Sequence, residues 1–180
     1  MPKVLVILIH PKFETSKANQ ILWDAIPESK EITKHDLYET YPDFFIDIKK
    51  EQSLLLDHDY VMFQHPFYWY SCPPLMKQWI DDVLEEGWAY GKTGNQLVGK
   101  TWIQCITTGG QDTAYSKEGF HKHTVNDFLL PFRRTAELCG MIYRDPFLVQ
   151  GTFQLGEKQL AEFSNSFRKF IFSILESSHA

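Results

Sequence analysis

Five short stretches of the chain are dense in apolar residues and are flanked by polar or turn-forming ones. A continuous apolar run of this length is typical of a parallel strand that is buried on both faces. The weakest stretch, residues 31–37, is predicted to lie near an edge of the sheet. His65-Pro66 is expected to end the third strand and Pro146 to interrupt the fifth, because proline has no N–H for the ladder. The predicted strands are residues 3–9, 31–37, 60–64, 101–107 and 141–149.

Between these stretches, apolar residues recur every three or four positions, which is the spacing of one face of a helix. Ser16 is predicted to cap the first helix, and Gly140 to end the fourth. Residues 87–99 contain four glycines and are predicted to form a loop. The predicted helices are residues 18–26, 49–57, 73–84, 125–136 and 160–174.

The alternation of strand and helix, repeated about five times, predicts an α/β fold with a parallel five-stranded sheet. Right-handed crossovers would place helices on both faces, which makes a three-layer sandwich. At 180 residues the strand order 2-1-3-4-5 is favoured, and we expect a single domain over residues 1–180.

The amino-acid composition argues against several classes of protein. Hydrophobic content of 43% and charged content of 23% are those of a globular protein, whereas the aromatic content of 15% is high. A net charge of −5 without a Lys/Arg run argues against a nucleic-acid partner. The apolar runs are too short to cross a bilayer. Three separated cysteines suggest neither a disulfide framework nor a zinc site, so we expect a reduced, cytoplasmic protein.

Residues 94–101 (GNQLVGKT) match the phosphate-binding loop pattern G-x-x-x-x-G-K-[ST] letter for letter. That mechanism needs a buried strand before the loop and a helix after it. Here a glycine-rich segment precedes the pattern and a predicted strand follows it, so the context is reversed. We interpret these residues as the entry to the fourth strand.

Four consecutive aromatic residues, 67–70 (FYWY), lie between the third strand and its helix. In open α/β sheets, ligands bind at the carboxyl ends of the strands. An exposed aromatic run favours association unless something flat covers it, so we expect a planar cofactor or substrate here. The alternative is that these rings belong to the core or to a subunit interface.

Two further loops are predicted to meet the aromatic run at the same edge of the sheet. The loop after the first strand carries His10, Ser16, Lys17 and Asn19 at a helix start, which suits a phosphate; simple capping by Ser16 is the alternative. The loop after the fourth strand, residues 107–110 (TTGG), lets backbone N–H groups approach a ligand, although a tight turn is the commoner use of Gly-Gly.

Tyr115, His121 and His123 follow the third of these loops. A Tyr and a His near a redox-active ring can donate hydrogen bonds or exchange protons. His121 and His123 could instead begin a metal site, but no third ligand is evident nearby, and a solvated loop histidine is the simpler interpretation. We therefore predict no metal.

The segment 65–77 (HPFYWYSCPPLMK), together with 87–91 (GWAYG), resembles the flavodoxin-like NAD(P)H:quinone oxidoreductases. It looks closest to the bacterial ancillary proteins of the Kef glutathione-regulated potassium-efflux systems. Residues 41–48 (YPDFFIDI) and 107–110 match that branch as well. The resemblance runs from the first strand to about Phe147 and implies a flavodoxin-like fold.

The resemblance implies a non-covalently bound flavin, with NAD(P)H as co-substrate. The family uses FMN or FAD, and FMN is favoured because the chain ends soon after its last helix. The phosphate end would be bound by His10, Ser16, Lys17, Ala18 and Asn19. The ring system would be bound by Phe67, Tyr68, Trp69, Tyr70, Thr107, Thr108, Gly109 and Gly110.

The resemblance also assigns catalytic and substrate-binding roles. Tyr115 and His121 match the family's Tyr and His beside the flavin, which assist hydride transfer. Trp69, Tyr70 and Tyr90 would form the aromatic walls of the substrate slot. Tyr90 matches an aromatic residue that reaches the neighbouring subunit's site in the family, so a homodimer is implied.

The leading hypothesis is an enzyme that passes a hydride from NAD(P)H through the flavin to a quinone with ping-pong kinetics. The alternative is a regulatory ancillary subunit that docks on a Kef-type transporter, peripheral at the inner face of the cell membrane. A one-electron flavodoxin carrier is disfavoured, because the loop after the first strand lacks that family's compact Ser/Thr/Gly turn.

Overall fold

The structure, a computed structural model, describes residues 1–176 of the chain. Its strands are β1 (Val4–Leu8), β2 (Ile32–Asp36), β3 (Tyr60–Pro66), β4 (Thr101–Thr108), β5 (Ile142–Tyr143) and β6 (Phe147–Gln150). They form one parallel sheet in the order β2-β1-β3-β4-β5, and β6 also pairs with β4. The predicted order is confirmed, with β2 at one edge.

The α-helices are α1 (Lys17–Ala25), α2 (Leu37–Thr40), α3 (Ile48–Asp57), α4 (Pro74–Val83), α5 (Val125–Phe128), α6 (Leu130–Leu138) and α7 (Glu157–Glu176). Two short 3₁₀ turns lie at Phe13–Thr15 and Asp112–Ala114. α2 was not predicted, because a single turn is too short to show a helical period. Its prediction of one continuous helix over 125–136 was wrong, because Pro131 at the start of α6 cannot continue a helix from the preceding turn.

The predicted fifth strand consists of two pieces that pair with different halves of β4. β5 lies opposite Thr101 and Trp102, whereas β6 lies opposite Cys105 to Thr108. Pro146 stands between the two pieces, so the predicted interruption is confirmed.

The prediction that β3 ends before His65 was wrong, because the strand continues through Pro66. The N–H of Phe67 bonds to the carbonyl of Thr107, so alternation along the strand directs position 66 toward β1. β1 has already ended there, at Leu8. Pro66 therefore removes no ladder bond, and the aromatic loop begins one residue beyond the sheet.

Two apolar clusters cover the two faces of the sheet. Leu5 and Ile7 of β1 contribute to one cluster, and Val4 and Val6 contribute to the other. All of β1 is buried, which explains why its sequence shows no alternation of apolar and polar residues.

Residues 84–100 connect α4 to β4 without a helix or strand, as the glycines predicted. β4 begins at Thr101, the last residue of the phosphate-loop pattern, so the predicted order of a loop followed by a strand is confirmed. Gly140 has φ +70° just after α6, the conformation expected for a glycine that ends a helix. Among the helices of residues 1–176, none is both long and apolar enough to cross a bilayer.

Candidate active site

A cleft of about 680 Å³ opens at the carboxyl edge of the sheet, where the loops after β1, β3, β4 and β6 meet. The predicted ligand-binding residues that line it are His10, Ser16, Lys17, Ala18, Phe67, Tyr68, Thr107 and Gly109. The predicted ones that lie outside its lining are Asn19, Trp69, Tyr70, Thr108 and Gly110. The lining residues that sequence reasoning missed are Pro66, Thr152, Phe153, Leu155 and Leu160.

The first turn of α1 lines the cleft with Lys17 and Ala18, and Ser16 occupies the N-cap position. Within the described chain, the Ser16 side chain makes no capping hydrogen bond; its Oγ instead accepts from Nδ2 of Asn19 at 3.0 Å. The alternative in which Ser16 only caps the helix was therefore wrong. The uncapped helix start leaves N–H groups and a positive dipole end for an anion.

Asn19 lies behind the wall of the cleft, with only 1% of its surface exposed. Its Nδ2 donates to Ser16 Oγ and, at 2.9 Å, to Oγ1 of Thr107 on β4. The backbone carbonyl oxygen of Asn19 accepts a hydrogen bond from Nε2 of Gln64 on β3 at 2.9 Å. Asn19 thus ties α1 to two strands and fixes the position of two cleft-lining residues.

His10 is a nearly buried side chain that lines the same cleft. Its Nδ1 accepts from the backbone N–H of Lys12 at 3.1 Å, so the neutral ring carries its proton on Nε2. Burial lowers the pKa of His10 below its usual 6.5 and outweighs the opposing carboxylate of Glu14. His10 is therefore a neutral hydrogen-bond donor at pH 7.

The loop after β4 is a tight turn that is fastened to the loop after β6. Oγ1 of Thr108 donates to the carbonyl of Gly110 at 2.7 Å, which closes the turn and points this side chain inward. A Cβ atom placed on Gly109 would lie 2.3 Å from Cε2 of Phe153, so glycine lets the two loops approach without moving that ring. The interpretation of Gly-Gly as a tight turn is confirmed. The group that approaches Gly109 in this structure is the Phe153 ring of the same chain.

The aromatic run folds into a strained two-residue turn. Trp69 and Tyr70 have φ of +50° and +61°, and the N–H of Ser71 bonds to the carbonyl of Tyr68 at 2.9 Å. Two positive φ values at these positions define a type I′ turn, which normally takes Asn-Gly. Trp69 is 93% exposed, so it does not belong to the core of this chain. Strain of this kind concentrates at functional sites.

The two predicted catalytic residues lie together beside the aromatic turn. The rings of Tyr115 and His121 stack with centroids 4.2 Å apart, and the hydroxyl of Tyr70 lies 3.3 Å from Nδ1 of His121. Phe67, which lines the cleft, contacts Tyr115 with ring centroids 5.8 Å apart. Burial raises the pKa of the Tyr115 phenol above 10, so it keeps its proton at neutral pH.

His123 lies apart from this pair. Its ring packs against Phe128, and its Nδ1 is 3.9 Å from the carboxylate of Asp127. Among residues 1–176, no three His, Cys, Asp or Glu side chains are grouped as metal ligands would be.

Tyr90 lies in the connection between α4 and β4, away from the lining of its own chain's cleft within the described residues. Its ring packs partly against the larger core cluster, and its carbonyl accepts from the N–H of Gly87. Within the described residues, Tyr90 is therefore not part of the cleft of its own chain.

The cleft fits a ligand that is anionic at one end and flat at the other. The start of α1, the Ser16 hydroxyl and the Lys17 ammonium group supply one end. The rings of Phe67 and Tyr68 and the backbone of Gly109 supply the other. A flavin nucleotide has this distribution of charge and shape.

Comparison with known proteins agrees with the topology. Residues 2–171 match a family model described as the flavodoxin-like fold. The chain belongs to this family.

Two relatives in the family carry different kinds of name. The chain is 43% identical to the glutathione-regulated potassium-efflux system ancillary protein KefG of Cronobacter sakazakii, over 94% of this chain and 92% of the relative. It is 46% identical to YrkL of Bacillus subtilis, described as an uncharacterized NAD(P)H oxidoreductase, over 88% of this chain and 91% of that one.

Solved structures show the same likeness. General stress protein 14 of Treponema denticola, solved in complex with FMN, superposes with a TM-score of 0.87 at 37% identity and covers 94% of this chain and 96% of its own. An NADPH-quinone reductase from P. pentosaceus superposes at 0.85 and 27% identity, covering 93% and 96%. A chain described as a thermophilic tryptophan halogenase reaches 0.91 at 37% identity, covering 97% and 99%. Because these names differ, function has to be argued from the site.

Proposed function

We propose that the protein is a flavin-dependent NAD(P)H:quinone oxidoreductase. The observation that carries the proposal is one cleft with an uncapped helix start at one end and an aromatic, glycine-backed wall at the other. The Treponema neighbour in complex with FMN, the YrkL relative and the quinone reductase neighbour support it.

The chain's residues divide between the two ends of an FMN molecule. Ser16, Lys17 and the first amides of α1 would bind the phosphate, and neutral His10 would donate from Nε2. Phe67, Tyr68 and Gly109 would border the ring system. When bound, the flavin would supply the two-electron chemistry; the protein supplies binding, orientation and protons.

Tyr115 and His121 would handle the protons of the reaction. Tyr115 stays protonated at neutral pH and can donate a hydrogen bond to a quinone oxygen as charge develops there. His121, fixed by the ring of Tyr115 and the hydroxyl of Tyr70, can exchange a proton with the acceptor.

Trp69 and Tyr70 would wall the slot that the nicotinamide and the quinone occupy in turn, so ping-pong kinetics are expected. In a homodimer, Tyr90 would reach the slot of the neighbouring subunit, which agrees with its position outside its own cleft. Sedimentation analysis tests the dimer.

The decisive experiment is an absorbance spectrum of the purified protein, with mass spectrometry of any released cofactor. Flavin bands and a mass equal to that of FMN are expected; FAD would change the cofactor assignment. A colourless protein that binds neither added FMN nor added FAD would contradict the proposal.

The catalytic assignment has its own test. Tyr115→Phe combined with His121→Ala should keep the bound flavin and lose about a hundredfold in quinone turnover, the usual range for proton-transfer groups. Unchanged turnover would remove both residues from the mechanism.

The KefG relatives favour a second candidate, a cytoplasmic ancillary subunit of a Kef-type transporter that binds at the inner face of the membrane. Co-purification with such a transporter would support this role. Quinone turnover by the free protein at a rate that the transporter does not change would favour the enzyme alone.

A further inference from the structure

Phe153 is a large apolar side chain in an unusual setting. It lines the cleft, yet its side chain stands largely in solvent and the residue is 86% exposed. On the opposite loop it approaches Gly109 so closely that a Cβ atom added there would lie 2.3 Å from Cε2 of the ring. The Phe153 ring therefore lies close to Gly109 and is otherwise exposed to solvent.

Hydrogen bonds on both sides of Phe153 fix its backbone. The N–H of Gly151 bonds to the carbonyl of Gly110 at 2.8 Å, and the N–H of Thr152 bonds to the carbonyl of Thr108 at 3.0 Å. The N–H of Gln154 then turns back to the carbonyl of Gly151 at 2.8 Å. The backbone that carries Phe153 is therefore fixed at the edge of the cleft by hydrogen bonds to the loop after β4.

We propose that Phe153 is a flavin-binding residue that walls the ring end of the cleft and becomes buried when the flavin binds. The loop after β6 then forms a fourth side of the site, and a side chain at position 109 would push the Phe153 ring out of its place. The proposal rests on the proposed function and adds a residue to that site.

The position of Phe153 predicts which flavins are affected. In the proposed binding mode, Gly109 borders the ring system, whereas Ser16 and Lys17 bind the phosphate. Phe153→Ala should raise the Kd of FMN and of riboflavin by the same factor, about tenfold, which is the scale of one aromatic ring contact. Quenching of flavin fluorescence on titration into the apoprotein measures both constants.

Matched variants separate ring packing from general damage. Phe153→Tyr keeps the ring and should bind like the natural protein. Phe45→Ala removes another largely exposed ring, at 84%, that does not line the cleft, and should leave both constants unchanged. The apoproteins should all have the same melting temperature, because neither the Phe153 ring nor the Phe45 ring is buried.

A double-mutant cycle tests the contact with Gly109. Gly109→Ala should weaken flavin binding in the natural protein and cost clearly less in the Phe153→Ala background, where no ring meets the new methyl group. An equal cost in both backgrounds, or a Kd that Phe153→Ala leaves unchanged or lowers, would overturn the inference while flavin binding itself stands. If the natural protein binds none of FMN, FAD and riboflavin, the proposed function fails and the inference fails with it.

Discussion

The two ends of the cleft are built in opposite ways. At the phosphate end, Ser16 and Thr107 are joined through the buried amide of Asn19. At the ring end, Trp69 and Phe153 stand in solvent, and Trp69 lies on a backbone turn that aromatic residues rarely adopt. One end is organised before any ligand arrives, whereas the other presents apolar surface that a ligand or a second subunit would cover.

This contrast has a physical reason. Donors for an anion must be oriented in advance, because a buried polar group without a partner costs free energy. Aromatic surface gains free energy only when something displaces water from it, so it can stay open until binding. The following predictions test whether the two ends differ in this way, from the largest expected effect to the smallest.

The largest effect concerns His65, the rigid support behind the aromatic loop. This ring is fully buried; its Nδ1 donates to the carbonyl of Pro66 and its Nε2 accepts from Nε2 of Gln104. Burial lowers the pKa of His65 from 6.5 to about 4. The unfolded chain therefore takes up a proton between these pH values that the folded chain excludes, and stability falls as the pH falls.

Urea unfolding at pH 7 and pH 4 measures this linkage. The His65 contribution to the loss should be about 3 kcal/mol, and His65→Gln should remove that part of the pH dependence. If the free energy of unfolding of the variant falls just as much between pH 7 and pH 4, groups other than His65 cause the loss.

Asn19→Ala should show that the phosphate end depends on buried hydrogen bonds. The change leaves the hydroxyls of Ser16 and Thr107 without their donor, so the free energy of unfolding should fall by about 2 kcal/mol and FMN affinity should fall with it. Asn165→Ala, at an exposed position of α7, is the control. Equal effects of the two variants in urea unfolding would contradict the bracing role of Asn19.

Lys17→Gln should separate the two ends by ligand. Lys17 is exposed at the start of α1, so the fold should not change. FMN should bind about tenfold more weakly because the phosphate loses a charged partner, whereas riboflavin, which has no phosphate, should bind as before. Fluorescence titration measures the Kd of both flavins, with Lys169→Gln as the control. Equal losses of affinity for FMN and riboflavin would show that Lys17 does not bind the phosphate.

Trp69→Asn should give the smallest effect and one of opposite sign. Asn tolerates a positive φ, and the exposed ring packs against little, so the free energy of unfolding should rise by about 1 kcal/mol. Trp69→Phe keeps both the ring and the strain and should change nothing. A decrease on Trp69→Asn would mean that the turn is not strained.

Local pattern was enough to predict most of the strands and helices, and the favoured strand order is confirmed, whereas the single-turn α2 and the break between α5 and α6 were not predicted. The apolar runs at residues 3–9 and 101–107 correctly predicted the buried strands β1 and β4. The three loops that follow β1, β3 and β4 were correctly predicted to meet at one edge, because carboxyl ends of parallel strands must. The pairing of Tyr115 with His121 followed from a resemblance, and the structure brings the two rings together.

Tertiary structure alone decided how the cleft is completed. Asn19 and Thr107 are 88 residues apart along the chain, and the local sequence around either residue does not predict their hydrogen bond. Phe153 follows a broken strand with no periodicity, and only the packing of its loop on Gly109 places its ring in the cleft. Local periodicity reports which face of an element is buried, whereas contacts between distant loops depend on how the finished layers pack.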